Sequence, residues 1–315
     1  MLAGCAAVVL QGRVQAEELR LATSRGPVSL PVYVALAEGH FAREGVTVRM
    51  LECSSGRQCM QLLGQGQADV ATAAELMVTL SALDGVPNVI LATISTSTHH
   101  IKLVARRDAG IEHAADLRGK RIATAAGTSA QYFLDNWLVY NGIDPQSVSL
   151  PTMRPDELQP ALLGRNVDAI AIWEPIASTA ARALGAQAAV LPSPRVYTQH
   201  FSLITGRDTI AKREADLVKL LRALERAQRF IAEKPLQAKR ILTAQLPAEA
   251  GAGNIAEHDF RLGLDQPLVS TMEGQARWAR QQGLARSSLA PANLLQSIEP
   301  ALLRRAVPGA VTLVY

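Results

Sequence analysis

The sequence predicts an α/β protein of two similar lobes, each a mainly parallel sheet flanked by helices, followed by a helical C-terminal part. Three observations predict it. Short apolar strands alternate with helical stretches from Leu19 to Leu191, which is the pattern of helices layered on a sheet. The alternation restarts after Ile101–Arg106, so the same unit is written twice. In both copies a helix ends at a glycine and an aspartate soon opens a strand, Gly66 with Asp69 and Gly164 with Asp168.

Residues 19–23 alternate apolar and polar side chains, as a half-buried strand does. The polar, proline-bearing stretch Ser24 to Pro31 leads into a helix ending near Glu44 and Gly45. A strand follows at 46–51, a short helix from Arg57 to Leu63, a strand opening at Asp69, a helix near 76–83 and a strand from Asn88 to Ile94. Residues 101–106 read as an extended connection. In the second copy, 121–125 is a strand and Ser129 to Tyr140 a helix, with Ala130, Phe133, Leu134, Trp137 and Leu138 on one face and Asn141-Gly142 at its end. A strand at 148–150, a helix to Gly164, a strand at 168–172, a helix from Pro175 and a strand at 188–191 complete it. Beyond another extended segment from Phe201, Leu217, Leu220, Leu221, Leu224 and Ile231 mark one face of a long helix ended by Pro235. The remainder, including a helix over 273–282, is short of strands and is expected to pack back on the first lobe. The expected division is a signal-peptide remnant at 1–16, the first part of lobe 1 at 17–105, lobe 2 at 106–200, and a return to lobe 1 with C-terminal helices at 201–315. Two crossings, near 101–106 and 198–205, form a hinge.

A chain of 315 residues suffices for two such lobes, and 48% hydrophobic with 19% charged residues places it among globular proteins. The net charge of +4 is scattered, with only 4% aromatics, which argues against a nucleic-acid partner. Leu2-Ala3-Gly4-Cys5 has the form of a bacterial lipobox with only Met1 ahead of it, and Val14-Gln15-Ala16 suits a signal-peptide cleavage site. The expectation is a start codon assigned too far downstream, with 1–16 as the tail of a signal sequence. Cleavage after Ala16 is favoured over a lipid anchor on Cys5, which an oddly apolar tether would follow. No other stretch approaches the roughly 20 apolar residues of a membrane span. Cys53 and Cys59 then form an even pair. A strand running into a helix at Ser54-Ser55-Gly56 can bring them within the about 4.4–6.8 Å between α-carbons that a disulfide needs; a pair of buried free thiols remains the alternative.

In open α/β sheets a ligand sits beyond the carboxyl ends of the strands, where loops feed helix N-termini. In the first lobe this rule selects Ser24 to Pro31, then Ser54, Ser55, Gly56 and Arg57, then Ala74 and Glu75, then the Ser95–His100 stretch with Ser97 and His99. In the second it selects Gly127, Thr128, Ser129 and Gln131, the stretch Thr152 to Asp156, and Trp173 with Glu174. Hydroxyl residues ahead of helices, with free backbone N–H groups behind them, suit an anion. Each also has a plainer reading: the hydroxyls as N-caps, Arg57 as surface, Glu174 as the cap of the next helix, Trp173 as core. Adjacent His99 and His100 point in different directions on an extended chain, and the remaining histidines lack a metal-ligand spacing. No nucleophile motif, phosphate-binding loop or dinucleotide fingerprint is present, so no catalytic residue, cofactor or metal is expected.

DLRGKRIATAAGTSAQYFL from Asp116, NGIDP from Asn141 and ALLGRNVDAIAIWEP from Ala161 resemble the second lobe of the nitrate, sulfonate and taurine type of ABC-transporter solute-binding proteins. The likeness extends to SSGRQCMQLLGQGQADVATAAE from Ser54 and ARWARQQGLA from Ala276, and covers most of residues 19–285. No single motif is decisive; their order and spacing are what is specific. The resemblance implies a type II periplasmic-binding fold that closes on ligand, with binding loops at Ser54–Arg57, Ala74-Glu75, Gly127–Gln131 and Trp173-Glu174. It implies a periplasmic, non-enzymatic monomer that delivers a small anion (sulfonate, nitrate, taurine or similar) to an inner-membrane ABC permease and its ATPase. Two other readings stay open. One is an enzyme on the same fold, like the thiamine-pyrimidine synthases, whose cysteine-rich motif this chain lacks, or an aromatic desulfinase, whose first cleft loop carries a cysteine absent here. The other is a ligand-sensing module for a membrane signalling partner.

Overall fold

The computed structural model describes residues 18–193, 195–246, 255–285 and 293–314. The expectations about residues 1–16, Cys5 and Ala16 therefore lie outside the described residues. Nine strands among the described residues form two sheets. They are β1 (Leu19–Ser24), β2 (Val48–Cys53), β3 (Val70–Ala74), β4 (Asn88–Ser97), β5 (Ile101–Arg106), β6 (Ile122–Thr124), β7 (Ala169–Trp173), β8 (Ala188–Leu191) and β9 (Gln199–Gly206). The first sheet has the order β2-β1-β3-β9-β4 and the second β6-β7-β5-β8.

In each sheet all strands but one share a direction, in keeping with the mainly parallel expectation, and the exception is a single antiparallel strand. β1 runs parallel to β2 and β3, and β6 parallel to β7, whereas β9 is antiparallel to β3 and β4, and β5 antiparallel to β7 and β8. The two antiparallel strands are the segments that read as connections. Each enters its sheet from the end where the carboxyl termini of the neighbouring strands lie, so it runs back against them. β9 inserts between β3 and β4, and β5 between β7 and β8, and both are buried over nearly their whole length. The chain thus changes lobe at Thr98–His100 and again between β8 and β9, slightly ahead of the expected crossings.

Other departures are local. The helix expected to reach Glu44 breaks at Gly39, whose φ of 67° lies in the left-handed region, giving Leu30–Ala37 and His40–Arg43. The stretch 148–150 makes no strand; Ser149 and Thr152 form only isolated bridges to Arg121 and Thr124, beside a β6 of three residues.

Each lobe has its own apolar core. The first core joins Leu21, Val70 and Leu203 with Leu220 and Leu224 of the helix Arg207–Glu233 and Met272 of the helix Gln266–Gln281, so the C-terminal helices complete the first lobe. In the second, Leu103 and Ile170 pack against Phe133 and Trp137 of the helix Ser129–Tyr140. The glycine–aspartate repeat noted in the sequence becomes a repeated clamp. Arg20 gives Asp69 its backbone N–H (2.8 Å) and two guanidinium hydrogen bonds (3.1 and 2.7 Å), with a further one to the Gly66 carbonyl (2.7 Å). Arg121 does the same to Asp168 (3.0, 3.2 and 2.8 Å), with its extra bond to the Arg165 carbonyl (2.9 Å). Among the described residues no helix is long and apolar enough to cross a membrane.

Candidate functional site

A small cavity of about 50 Å³, open to solvent, lies where the strand ends of the two lobes face each other. On the first-lobe side, β2 ends at Cys53 and the helix Gly56–Gly64 begins after a turn capped by Ser55, whose Oγ accepts from Gln58 N at 3.4 Å. Cys53 and Cys59, both buried, are joined across this turn with their α-carbons 5.5 Å apart. Gly56 sits against β3 so closely that a Cβ there would lie 2.9 Å from Ala73 Cβ. From the next position Arg57 reaches over to the second lobe, where its Nη2 donates to the carbonyls of Ala126 (3.0 Å) and Gly127 (2.8 Å). It has no carboxylate partner among the described residues.

The opposing rim is the turn between β6 and the helix Ser129–Tyr140. Gly127 takes a φ of 62°, its N–H donates to Gln131 Oε1 at 2.7 Å, and Thr128 Oγ1 donates to Ala125 O at 2.7 Å while accepting from Ala130 N at 3.3 Å. The N-termini of two helices, one from each lobe, therefore open onto one cavity beside an uncompensated guanidinium. Such a place holds an anion well, because free N–H groups and helix dipoles add to the charge. Val28, Met77, Trp173 and Phe201 give the cavity an apolar wall. Its hinge-side polar groups are His100 and Gln199, each 4% exposed, and Gln199 Oε1 has no hydrogen-bond partner. Burial holds the His100 imidazole well below its ordinary value, so it is neutral, and its Nδ1 lies 3.3 Å from His258 Nε2.

Of the residues proposed from the sequence, Ser55, Gly56, Arg57, Ala74, Thr128, Ser129, Trp173 and Glu174 come together around this cavity. Ser54, Glu75, Ser97, His99, Gly127 and Gln131 are not among its lining. Ser54 N donates to Gln58 Oε1 (2.6 Å), and Gly127 and Gln131 shape the second rim from behind. Ser97 Oγ donates to the Glu257 carbonyl (2.7 Å) and accepts from His99 N (3.0 Å), so both belong to the hinge. Glu75 turns inward. Wholly buried, it accepts from Tyr197 OH (2.6 Å), His200 N (2.9 Å) and Gln275 Nε2 (2.6 Å), and burial raises its pKa. That contact joins the helix Glu75–Leu83 of the first lobe to Tyr197, which packs in the second core.

Glu174 lines the cavity yet is largely engaged elsewhere. Its carboxylate accepts from Ser178 N (3.0 Å) and Ser178 Oγ (2.6 Å), capping the following helix, and lies 3.3 Å from Lys102 Nζ. Lys102 also pairs with Glu257 (2.9 Å); despite burial, these partners hold its ammonium above the ordinary value. Arg25 pairs with Glu52. Sequence reasoning did not single out Met77, Gln199 or Phe201. Met77 and Phe201 carry only an apolar signal shared with the core, and Gln199 opens a strand whose position depends on the crossing. Among the described residues no group of three or more His, Cys, Asp or Glu side chains is placed to hold a metal ion.

Comparison with known proteins bears on this geometry. Residues 26–238 match the profile of a family described as NMT1/THI5 like. The chain is 27% identical over 211 residues (65% of the chain) to a Bacillus subtilis protein named "Putative aliphatic sulfonates-binding protein", and 26% identical over 162 residues (51% of the chain) to the taurine-binding periplasmic protein of Escherichia coli. These matches span 63% and 50% of the relatives' own lengths. A shorter one, 26% over 119 residues (38% of the chain and 34% of the relative), is to a 4-amino-5-hydroxymethyl-2-methylpyrimidine phosphate synthase of Schizosaccharomyces pombe. Among solved structures, the periplasmic aliphatic sulphonate binding protein SsuA of Escherichia coli superposes with a TM-score of 0.77 at 19% identity, covering 90% of this chain and 93% of that one. The fold is thus the two-lobed periplasmic-binding-protein fold.

Proposed function

The chain belongs to the NMT1/THI5-like family, and on that premise we propose that it is the extracytoplasmic solute-binding component of an ABC importer, holding a small organic anion in the cavity between its lobes. The observation that carries this reading is the convergence of two helix N-termini, one from each lobe, on a cavity beside Arg57. Two lobes that supply half an anion site each gain affinity by closing, because the site is complete only when they meet. The apolar wall of Val28, Met77, Trp173 and Phe201 favours an anion with a short carbon tail over nitrate, and sulfonates are the first class to test. The sulfonate- and taurine-binding relatives support the same class. In this reading the protein works in the periplasm as a monomer, presents its closed form to a permease driven by an ATPase, and releases its ligand unchanged.

Thermal melting over a panel of alkanesulfonates, taurine, nitrate and carboxylates tests the proposal, since a ligand that binds only the folded state raises the melting temperature. The expected result is a rise with one or more sulfonates that is lost in Ser129→Asp, where a fixed negative charge would stand at the second-lobe rim. Aspartate at a helix N-terminus preserves local stability, so the unliganded melt should move little. No response to any organic anion, or recovery of a chemically converted product, would sink the proposal; the latter result would favour the synthase-like relatives.

A further inference from the structure

We propose that the Cys53–Cys59 disulfide is a positioning element of the cleft, holding the turn that carries Arg57 so that its guanidinium bridges to the second lobe. The two cysteines are six residues apart and enclose Ser54 to Gln58, of which Ser55, Gly56 and Arg57 line the cavity. A cross-link around so short a loop removes little freedom from the unfolded chain, because that effect grows with the logarithm of loop length. Its main consequence is local. It ties the last residue of β2 to the helix Gly56–Gly64, so the strand end and the helix start cannot part. Gly56, pressed against Ala73, fixes the depth of the same junction. From this anchored base Arg57 spans to the carbonyls of Ala126 and Gly127, whose own turn carries side-chain hydrogen bonds involving Gln131 and Thr128 and no cross-link among the described residues. A helix start free to fray would carry Arg57 with it, and both the bridge and the anion-facing N–H groups would lose their fixed origin.

The affinity arm of this inference rests on the proposed anion capture; the bridging arm does not. The experiment follows hydrogen exchange over residues 125–129 in the oxidised protein, in Cys53→Ala with Cys59→Ala, and in Arg57→Gln, with melting and ethanesulfonate titration alongside. Both altered proteins should exchange this segment at least about fivefold faster, while β7 in the interior of the same lobe keeps its protection. Ethanesulfonate should bind roughly tenfold more weakly without the disulfide. Reoxidation of wild-type protein reduced with tris(2-carboxyethyl)phosphine should restore both properties, which a general loss of packing would not predict. Unchanged exchange at 125–129 in the disulfide-free protein overturns the positioning role. If the double alanine protein does not fold, the reduced wild-type protein and Arg57→Gln decide the matter by the same criterion. Faster exchange together with no ethanesulfonate binding in any form would uphold the positioning role and count against the proposed ligand class.

Discussion

The two lobes are alike at their bases and unlike where they meet. Far from the cleft, each ties one strand start to the aspartate before a parallel neighbour through the same arginine geometry, Arg20 of β1 to Asp69 ahead of β3 and Arg121 ahead of β6 to Asp168 ahead of β7. At the cleft, the first-lobe turn is cross-linked and the second-lobe turn is held by hydrogen bonds alone. The first lobe also reaches across. It sends Arg57 to the Gly127 carbonyl, Trp278 Nε1 to Asp135 Oδ2 (2.8 Å), and Glu75 to Tyr197. A repeated unit can therefore serve two purposes, with the shared base providing the fold and the divergent ends making one lobe the reference against which the other is placed.

The strongest way to break that asymmetry is Glu75→Ala. It would leave Tyr197 OH, His200 N–H and one N–H of Gln275 without their acceptor in a wholly buried place, a loss expected to cost about 3–5 kcal/mol. Denaturant unfolding should show that loss, and the melt should resolve a second transition as the second lobe loses its hold on the first. The pH response has a definite sign. Burial raises the folded-state pKa of Glu75 above its unfolded value, so the group's contribution is fully present below about pH 4.3 and declines as pH rises toward the folded value. Glu75→Gln should remove that decline while keeping one acceptor oxygen for Tyr197. A Glu75→Gln protein with the same pH slope as wild type would assign the slope to other groups.

The shared bases predict a smaller and matched pair of effects. Asp69→Asn and Asp168→Asn each remove a carboxylate that accepts three hydrogen bonds from one arginine, half-exposed in both lobes. Solvent screening limits each loss to about 1–2 kcal/mol. Asp69 is pushed upward by burial, but its Arg20 hydrogen bonds hold it below the usual carboxylate range; Asp168 is held low chiefly by its hydrogen bond with Arg121. Because both folded pKa values are depressed, the two contributions are present above about pH 3.9 and are lost together as pH falls through the lower folded values. Acid unfolding of each variant should be less steep than that of wild type. Losses differing by more than about twofold would mean that the bases are not equivalent after all.

This contrast also marks what was legible in the sequence. The bases and the strand–turn–helix rims are local: Gly66 with Asp69, Gly164 with Asp168, Ser55-Gly56-Arg57 and Thr128-Ser129 announce themselves through turn and capping chemistry within a few residues. The two crossings were legible, but not that the segments beside them fill the middle of a sheet, because β5 and β9 are placed by topology. An apolar extended run reads the same whether it links two sheets or fills the middle of one, so the order in which β9 brings Gln199 and Phe201 to the cavity carried no local signal. Glu75 shows the converse error. Its position at a strand end before a helix put it among the expected cleft residues, but which way its side chain turns is decided by Tyr197, His200 and Gln275, distant in sequence.

The smallest expected effect tests the less anchored rim directly. Gly127 has a left-handed φ of 62°, and a Cβ placed on it would lie 2.9 Å from Arg57 Nη2. Gly127→Ala therefore does two things, straining the backbone by about 1 kcal/mol and pressing on the guanidinium that spans the cleft. The second need cost little stability, since Arg57 is long and its tip can move, but moving the tip withdraws the bridge and the charge from the proposed anion site. Gly127→Asn separates the two effects. Asparagine tolerates the left-handed region far better than alanine while presenting the same Cβ to Arg57. If Arg57 is what matters at this rim, the two substitutions should weaken sulfonate binding alike, with only alanine lowering the melting temperature appreciably. If backbone strain is what matters, binding should follow stability and asparagine should spare both. Substitution at Gly56 offers no such separation, because its Cβ would also stand 3.1 Å from the Ala73 backbone, which cannot give way as an arginine tip can. The two rims should thus respond differently to the same added methyl group: a loss of packing where the turn is pinned, and a loss of ligand affinity where it is not.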